Sequence, residues 1–160
     1  MIRRAETRDI DRLTDLLYQV QAVHADGRPD LFNQGAKKYT QEELGAILDN
    51  DEKPIYVYTD ENDVVMGYCF CVYQVTKGSC SLKDRKTMYI DDLCVDSVFR
   101  GRHIGQTLYE YVLKVAKENH CDSVTLNVWE LNTAARAFYE KCGLAPLKTT
   151  MEQVLTDEEN

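Results

Sequence analysis

Arg100-Gly101-Arg102-His103-Ile104-Gly105 stands where an apolar strand pattern hands over to a helical one. The first N–H groups of a helix have no internal acceptor, so a helix start of this kind is a ready anion site. Gly101 and Gly105 let a ligand approach the backbone closely, and Arg100 and Arg102 add positive charge to an otherwise acidic chain. The ligand that suits such a loop is a phosphate or pyrophosphate. A basic first turn on an ordinary surface helix is the plain alternative, but it sets positive charge at the unfavourable end of the helix dipole. With no Gly-Lys-Ser/Thr and no third glycine, the loop is neither a Walker A loop nor a dinucleotide fingerprint.

Just before this loop, Met88-Tyr89-Ile90-Asp91-Asp92-Leu93-Cys94-Val95 has the pattern of a strand with two carboxylates in its middle. Successive strand residues face opposite sides, so one aspartate is expected to point into a cleft and the other toward a helix or solvent. Either can take either place. An exposed edge strand is the alternative, though the flanking Met88, Ile90, Leu93 and Val95 favour a covered one.

The elements that must position these groups follow from periodicity. Thr7 is a cap candidate for a helix with Ile10, Leu13, Leu17, Val20 and Val23 at helical spacing, which runs out around Gly27-Arg28-Pro29. A shorter helix is expected from Thr40 to about Leu48. Ile55 to Thr59 and Val64 to Val75 read as a β-hairpin around Asp60-Glu61-Asn62-Asp63, followed by a polar stretch from Thr76 to Lys86. The helix opened by the glycine loop carries Ile104, Leu108, Val112 and Val115 on its core face. A strand from Ser123 to Val128, a helix capped by Asn132 or Thr133 and reaching Cys142, and a final strand from Thr149 to Leu155 complete the expected order. That order, β-α-α-β-β-β-α-β-α-β, is a mixed α/β arrangement of the α+β class, a sheet with helices on its faces.

A length of 160 residues, with no internal repeat or linker, is expected to form one domain over 1–160. Nineteen Lys and Arg against twenty-seven Asp and Glu leave a net charge of −8, which disfavours nucleic acid and anionic membrane as partners. No apolar run is long enough for a membrane helix, and Met1 to Thr7 has no apolar stretch of the secretory kind, so a cytoplasmic protein is expected. The six cysteines form no Cys-x-x-Cys pair and find no histidine partner. They are expected to be reduced, buried and without metal.

Two motifs then carry a resemblance. Arg100-Gly101-Arg102-His103-Ile104-Gly105 resembles the acyl-CoA pyrophosphate loop, Arg/Gln-x-x-Gly-x-Gly/Ala, of the GNAT N-acetyltransferase superfamily. Asn132-Thr133-Ala134-Ala135-Arg136-Ala137-Phe138-Tyr139-Glu140-Lys141-Cys142-Gly143-Leu144 resembles that family's Asn-x-x-Ala-x-x-Phe-Tyr-x-x-x-Gly-Phe segment. The separation of the motifs and the intervening element order match as well, so the resemblance covers nearly the whole chain. One departure is His103, which stands where the family has its first glycine; a side chain is tolerated there if the residue keeps ordinary helical dihedrals. The run Tyr89-Ile90-Asp91-Asp92-Leu93-Cys94-Val95 is similar to the Tyr-Leu-Glu-Asp-Phe-Phe-Val strand of diamine and polyamine acetyltransferases within the superfamily.

The resemblance implies a GNAT fold, a mostly antiparallel sheet with a splayed pair of parallel strands holding acetyl-CoA as co-substrate, with no metal. It places the pantetheine arm on the strand at Leu93, Cys94 and Val95, and the pyrophosphate on Arg100, Gly101, Arg102, His103, Ile104, Gly105 and Gln106. Asn132, Ala135 and Phe138 complete the cofactor-binding set. Tyr139 matches the family position near the cofactor sulfur and is the general-acid candidate. Asp91, or Asp92 on the other side of the strand, is the candidate for deprotonating the acceptor through water. The implied activity is acetylation of a primary amine on a small cationic molecule: a polyamine, an aminoglycoside or a lysine-like amine. Acetylation of a protein N-terminus or lysine is the rival reaction, and a non-catalytic acyl-CoA sensor is the rival of another class. The family's frequent dimers imply a homodimer, with Val64 to Val75 as its candidate face.

Overall fold

Three antiparallel pairings and one parallel pairing build the sheet in the computed structural model, which describes residues 1–156. The strands are β1 (Ile2–Arg4), β2 (Ile55–Thr59), β3 (Val65–Thr76), β4 (Arg85–Val95) and β5 (Ser123–Leu126), in the order β1-β2-β3-β4-β5. Only β4 and β5 run parallel. The helices are α1 (Ile10–Gly27), α2 (Gln41–Leu48), α3 (Ile104–Glu118) and α4 (Thr133–Lys141). This is the expected mixed α/β architecture. Among the described residues no helix is long and apolar enough to cross a membrane.

The core lies in two layers, one on each face of the sheet. Leu13, Leu16 and Leu17 of α1 and Leu44 of α2 pack with Val57, Tyr68 and Phe70 on one face. On the other, Ile104, Leu108 and Val112 of α3 pack with Cys69, Cys71, Met88 and Ile90. Covered on both faces, Val65 to Cys71 of β3 are all buried, which is why that stretch reads as a continuous apolar run. Both edges of that stretch are also taken, by β2 and β4.

Local capping follows the sequence in most places and departs from it in two. Thr40 caps α2 as expected, accepting from the Glu43 N–H at 3.1 Å. At α1 the expected Thr7 cap gives way to a 3-10 turn over Thr7–Asp9. Asp9 accepts from the Glu6 N–H at 2.8 Å and is clamped by Arg3 at 2.8 and 3.0 Å. The larger departure is at the far end. The expected strand from Thr149 to Leu155 is absent: beyond Leu144 no backbone group enters a backbone hydrogen bond among the described residues. Its Thr and Val content suits a strand, but a strand exists only with a partner beside it.

The free cysteines Cys69, Cys71 and Cys94 are buried and Cys121 and Cys142 half-buried. Cys80, expected inside, is exposed because it falls in the polar connection between β3 and β4.

Candidate active site

The parallel pairing of β4 with β5 begins at Thr87↔Ser123 and ends at Ile90↔Leu126. Beyond it the flank of β4 that carries Leu93, Cys94 and Val95 has no strand beside it, and a gap opens between the two chains. The same point breaks the register with β3. Phe70 faces Asp92 and Cys71 faces Ile90, so Asp91 is the extra residue of a β-bulge.

The bulge overturns the expectation that Asp91 and Asp92 face opposite sides. Both carboxylates reach the Tyr68 and Phe70 side of the sheet. Tyr68 donates its hydroxyl to Asp92 at 3.0 Å, and Tyr39, stacked on Phe70 with centroids 5.6 Å apart and planes within 5°, donates to Asp91. Lys38 places its Nζ 3.0 Å from Asp91 Oδ1 and donates to the Asp91 carbonyl, also at 3.0 Å. The charge of Asp91 is therefore matched. Asp92 has no cation of its own, and burial lifts its carboxyl from an ordinary 3.8 to about 6, with Asp91 adding to the rise and Lys38 and Tyr68 opposing it.

Tyr139 on α4 comes to the same gap. Burial holds its phenol above the ordinary range, and the nearby Cys69 and Asp92 push it further in that direction, so it stays protonated throughout neutral pH. Burial likewise pushes the Cys94 thiol up to about 12, which makes it a packing residue and not a thiolate nucleophile.

The glycine loop is held from behind. Asp96 accepts from the Val98 N–H at 3.1 Å and from Arg12 of α1, whose Nε also reaches the Val65 carbonyl at 3.0 Å. The Arg12 guanidinium keeps Asp96 below the usual carboxylate range. From there the chain turns into α3 through two left-handed residues, Gly101 at φ 84° and His103 at φ 58°. His103 thus does not meet the condition of ordinary helical dihedrals. The entry into α3 demands a positive φ, the conformation a glycine adopts without strain, and this chain meets the demand with a histidine. The result is a row of free donors. Among the described residues no backbone N–H from Arg100 to Gln106 has an acceptor within the protein.

Three segments meet beside the loop. A Cβ built on Gly105 would lie 3.3 Å from Phe138 Cζ and 3.6 Å from Val95 Cγ2, so α4 and the end of β4 approach this glycine closely. Asn132 caps α4, accepting from the Ala135 N–H at 3.2 Å. Phe138 and Val95 therefore meet at Gly105, and Tyr139, next to Phe138 on α4, lies near Asp92, while Asn132 and Ala135 form the cap of the same helix.

Lys38, Tyr39 and Tyr68 are the site residues that sequence reasoning missed. Tyr68 sits in an apolar run that reads as core, and Lys38 and Tyr39 sit in an irregular connection whose path no periodicity reveals. The same connection brings Phe32 against His24 (centroids 5.1 Å) and Trp129 (5.1 Å), joining it to the loop after β5.

Set against known proteins, the model of the acetyltransferase (GNAT) family matches residues 17–144. A glucosamine 6-phosphate N-acetyltransferase of Arabidopsis thaliana is 35% identical over 60 residues, 38% of this chain and 38% of that protein. An N-alpha-acetyltransferase 30 of Saccharomyces cerevisiae is 32% identical over 69 residues, 43% of this chain and 39% of that protein. The chain thus spans well under half the length of the curated relatives it matches. A crystal structure of a mutant of the BH1408 protein from Bacillus halodurans superposes with a TM-score of 0.94 at 30% identity, covering 98% of this chain and 99% of that one.

Proposed function

The chain belongs to the acetyltransferase (GNAT) family, and from that premise we propose that it transfers the acetyl group of acetyl-CoA directly to a primary amine of a small cationic acceptor such as a polyamine, an aminoglycoside or a lysine-like amine. The observation that carries this reading is the bulge. It sets a half-buried carboxylate, Asp92, whose carboxyl is raised to about 6, at the mouth of the β4–β5 gap and within the electrostatic reach of the protonated Tyr139 phenol.

Acetyl-CoA fits the residues present: the free N–H groups from Arg100 to Gln106 suit a diphosphate, with Arg100 and Arg102 adding charge. Bound there, it supplies an acetyl thioester activated for acyl transfer. The open flank of Leu93, Cys94 and Val95 offers backbone groups to the amides of the pantetheine arm, and Asn132, Ala135 and Phe138 close the other side. An amine attacks only as the free base, and Asp92, ionised above about pH 6, takes the proton of the incoming ammonium through a bridging water. Backbone N–H groups of β4 stabilise the negative charge that develops on the acyl oxygen. Tyr139 gives its proton to the departing sulfur, and the second proton that the nitrogen sheds as the amide forms passes to water, from which Tyr139 is reprotonated. Asp91, fixed by Lys38 and Tyr39, holds the bulge in shape, and its neutralised charge leaves Asp92 as the attraction for a cationic acceptor.

A panel of amines assayed by release of free CoA thiol tests this. Turnover with small cationic amines is expected. Turnover with peptide N-termini alone would favour the rival reaction, to which the similarity with the yeast N-alpha-acetyltransferase points. Acetyl-CoA binding without thiol release from any amine would leave a sensor.

A further inference from the structure

A primary amine already stands at the carboxylates of the gap, and it belongs to the chain itself. Lys38 lies on the irregular connection between α1 and α2. Its Nζ is 3.0 Å from Asp91 Oδ1, 3.0 Å from the Asp91 carbonyl and 5.7 Å from the centre of the Tyr39 ring. These contacts put the ammonium at the bulge, close enough to Asp92 that its charge opposes the rise of that carboxyl. The side chain is 41% exposed, so its flexible four-carbon stem lets the amine swing from Asp91 toward the gap. The other lysine that pairs with a carboxylate among the described residues is Lys114 on α3, 3.8 Å from Glu118 and 72% exposed.

An enzyme that acetylates primary amines at this place has its own lysine among the candidates. Resting on the amine-acetylating reading above, we propose that Lys38 is a self-acetylation site, modified once in each chain by the acetyl-CoA which that chain binds. Asp92 takes one proton of the ammonium through water, and the nitrogen lone pair forms a C–N bond to the thioester carbonyl carbon. The C–S bond breaks with its electron pair on sulfur, which takes the Tyr139 proton. The second proton of the nitrogen passes to water, from which Tyr139 is reprotonated. Lysine ammonium and acetyl-CoA thus become acetyl-lysine, free CoA thiol and one released proton. Because one chain holds both donor and acceptor, the amine is in place before the cofactor arrives and the reaction is first order in protein. Its product is a neutral amide that no longer balances the charge of Asp91.

The test incubates the full chain with acetyl-CoA and no added amine, and reads acetylation lysine by lysine by mass spectrometry. A single acetyl group should appear on Lys38, with a rate constant that stays the same over about a tenfold range of protein concentration. Acetic anhydride, which needs no binding site, gives the comparison on the chain without cofactor. It should modify the exposed Lys114 ahead of Lys38, and acetyl-CoA should reverse that order. Tyr139→Phe should slow the Lys38 reaction by about a hundredfold, and Lys38→Arg, which keeps a charge beside Asp91, should end the incorporation. Acetyl groups spread over exposed lysines, a rate constant that rises with protein concentration, an unslowed Tyr139→Phe, or a Lys38 that leads with the anhydride as well overturns the proposal. Should Lys38→Arg fail to fold, the map of the wild type decides alone. Amines assayed alongside separate this proposal from the reading beneath it: CoA release with amines and no acetyl on Lys38 sinks self-acetylation alone, whereas transfer to neither sinks both.

Discussion

Asp92→Asn should stabilise the protein while disabling it. The exchange keeps the shape of the side chain and an oxygen for the Tyr68 hydroxyl, but removes a charge the fold holds at a cost. At about 1.4 kcal/mol per unit, a carboxyl raised from 3.8 to about 6 costs about 3 kcal/mol at neutral pH. The sign follows from proton counts. Between the two values the native state binds more protons than the unfolded chain, so the stability of the wild type falls as pH rises through that window and is unpenalised below it. The advantage of the variant should therefore be complete above about pH 7 and vanish toward pH 4. For a chain of this size it amounts to about 6–12 °C in Tm. Calorimetric melting of both proteins from pH 4 to 8 reads it. Over the same range, the activity of the wild type should rise through about pH 6 as Asp92 ionises. The variant should lose that limb along with about a hundred- to ten-thousand-fold of its rate. A variant that melts at or below the wild type at pH 7.5 would refute the claim that Asp92 is held at a cost, and with it the reason for assigning the base to this residue.

Three further outcomes are expected. Tyr139→Phe keeps the ring against Phe138 and should lower kcat by about a hundredfold, near the lower end for general acids, while calorimetric acetyl-CoA binding barely changes; wild-type turnover where chemistry limits the rate would make Tyr139 a packing residue. Gly105→Val drives side-chain atoms into Phe138 and Val95, costing about 1–3 kcal/mol in thermal unfolding and raising the acetyl-CoA Kd, whereas Arg102→Ala should affect Kd less, because the amides do most of the holding. His103→Gly relieves a left-handed histidine and should gain about 1 kcal/mol, seen as a small rise in Tm, without loss of cofactor affinity.

Much of the site was legible because its signals are local. The glycine loop at a strand-to-helix junction, the Asn132 cap and the alternation around Ile90 each depend on neighbours a few residues away, and local sterics and hydrogen bonding decide them. Even so, local reading left the conformation of His103 open. Whether an entry turn needs a positive φ depends on the angle at which the loop meets α3, and Asp96, pinned by Arg12 from another helix, sets where that loop begins.

The amino-acid order alone determined the helices and most of the strands up to Gly143 and the place of the glycine loop between β4 and α3. Tertiary structure decided the rest. A strand pattern states only that alternate residues differ, so the chain cannot say that register slips by one residue at Asp91 and turns both carboxylates to the same face. That follows from how β3 lies against β4. Nor does anything local to Asp92 raise its carboxyl, because burial is a property of the layers that cover it, Tyr68 and the connection carrying Lys38 and Tyr39 among them. The same physics explains Thr149 to Leu155: composition makes a segment competent to be a strand, but hydrogen bonds to a neighbour make it one, and among the described residues that neighbour is missing.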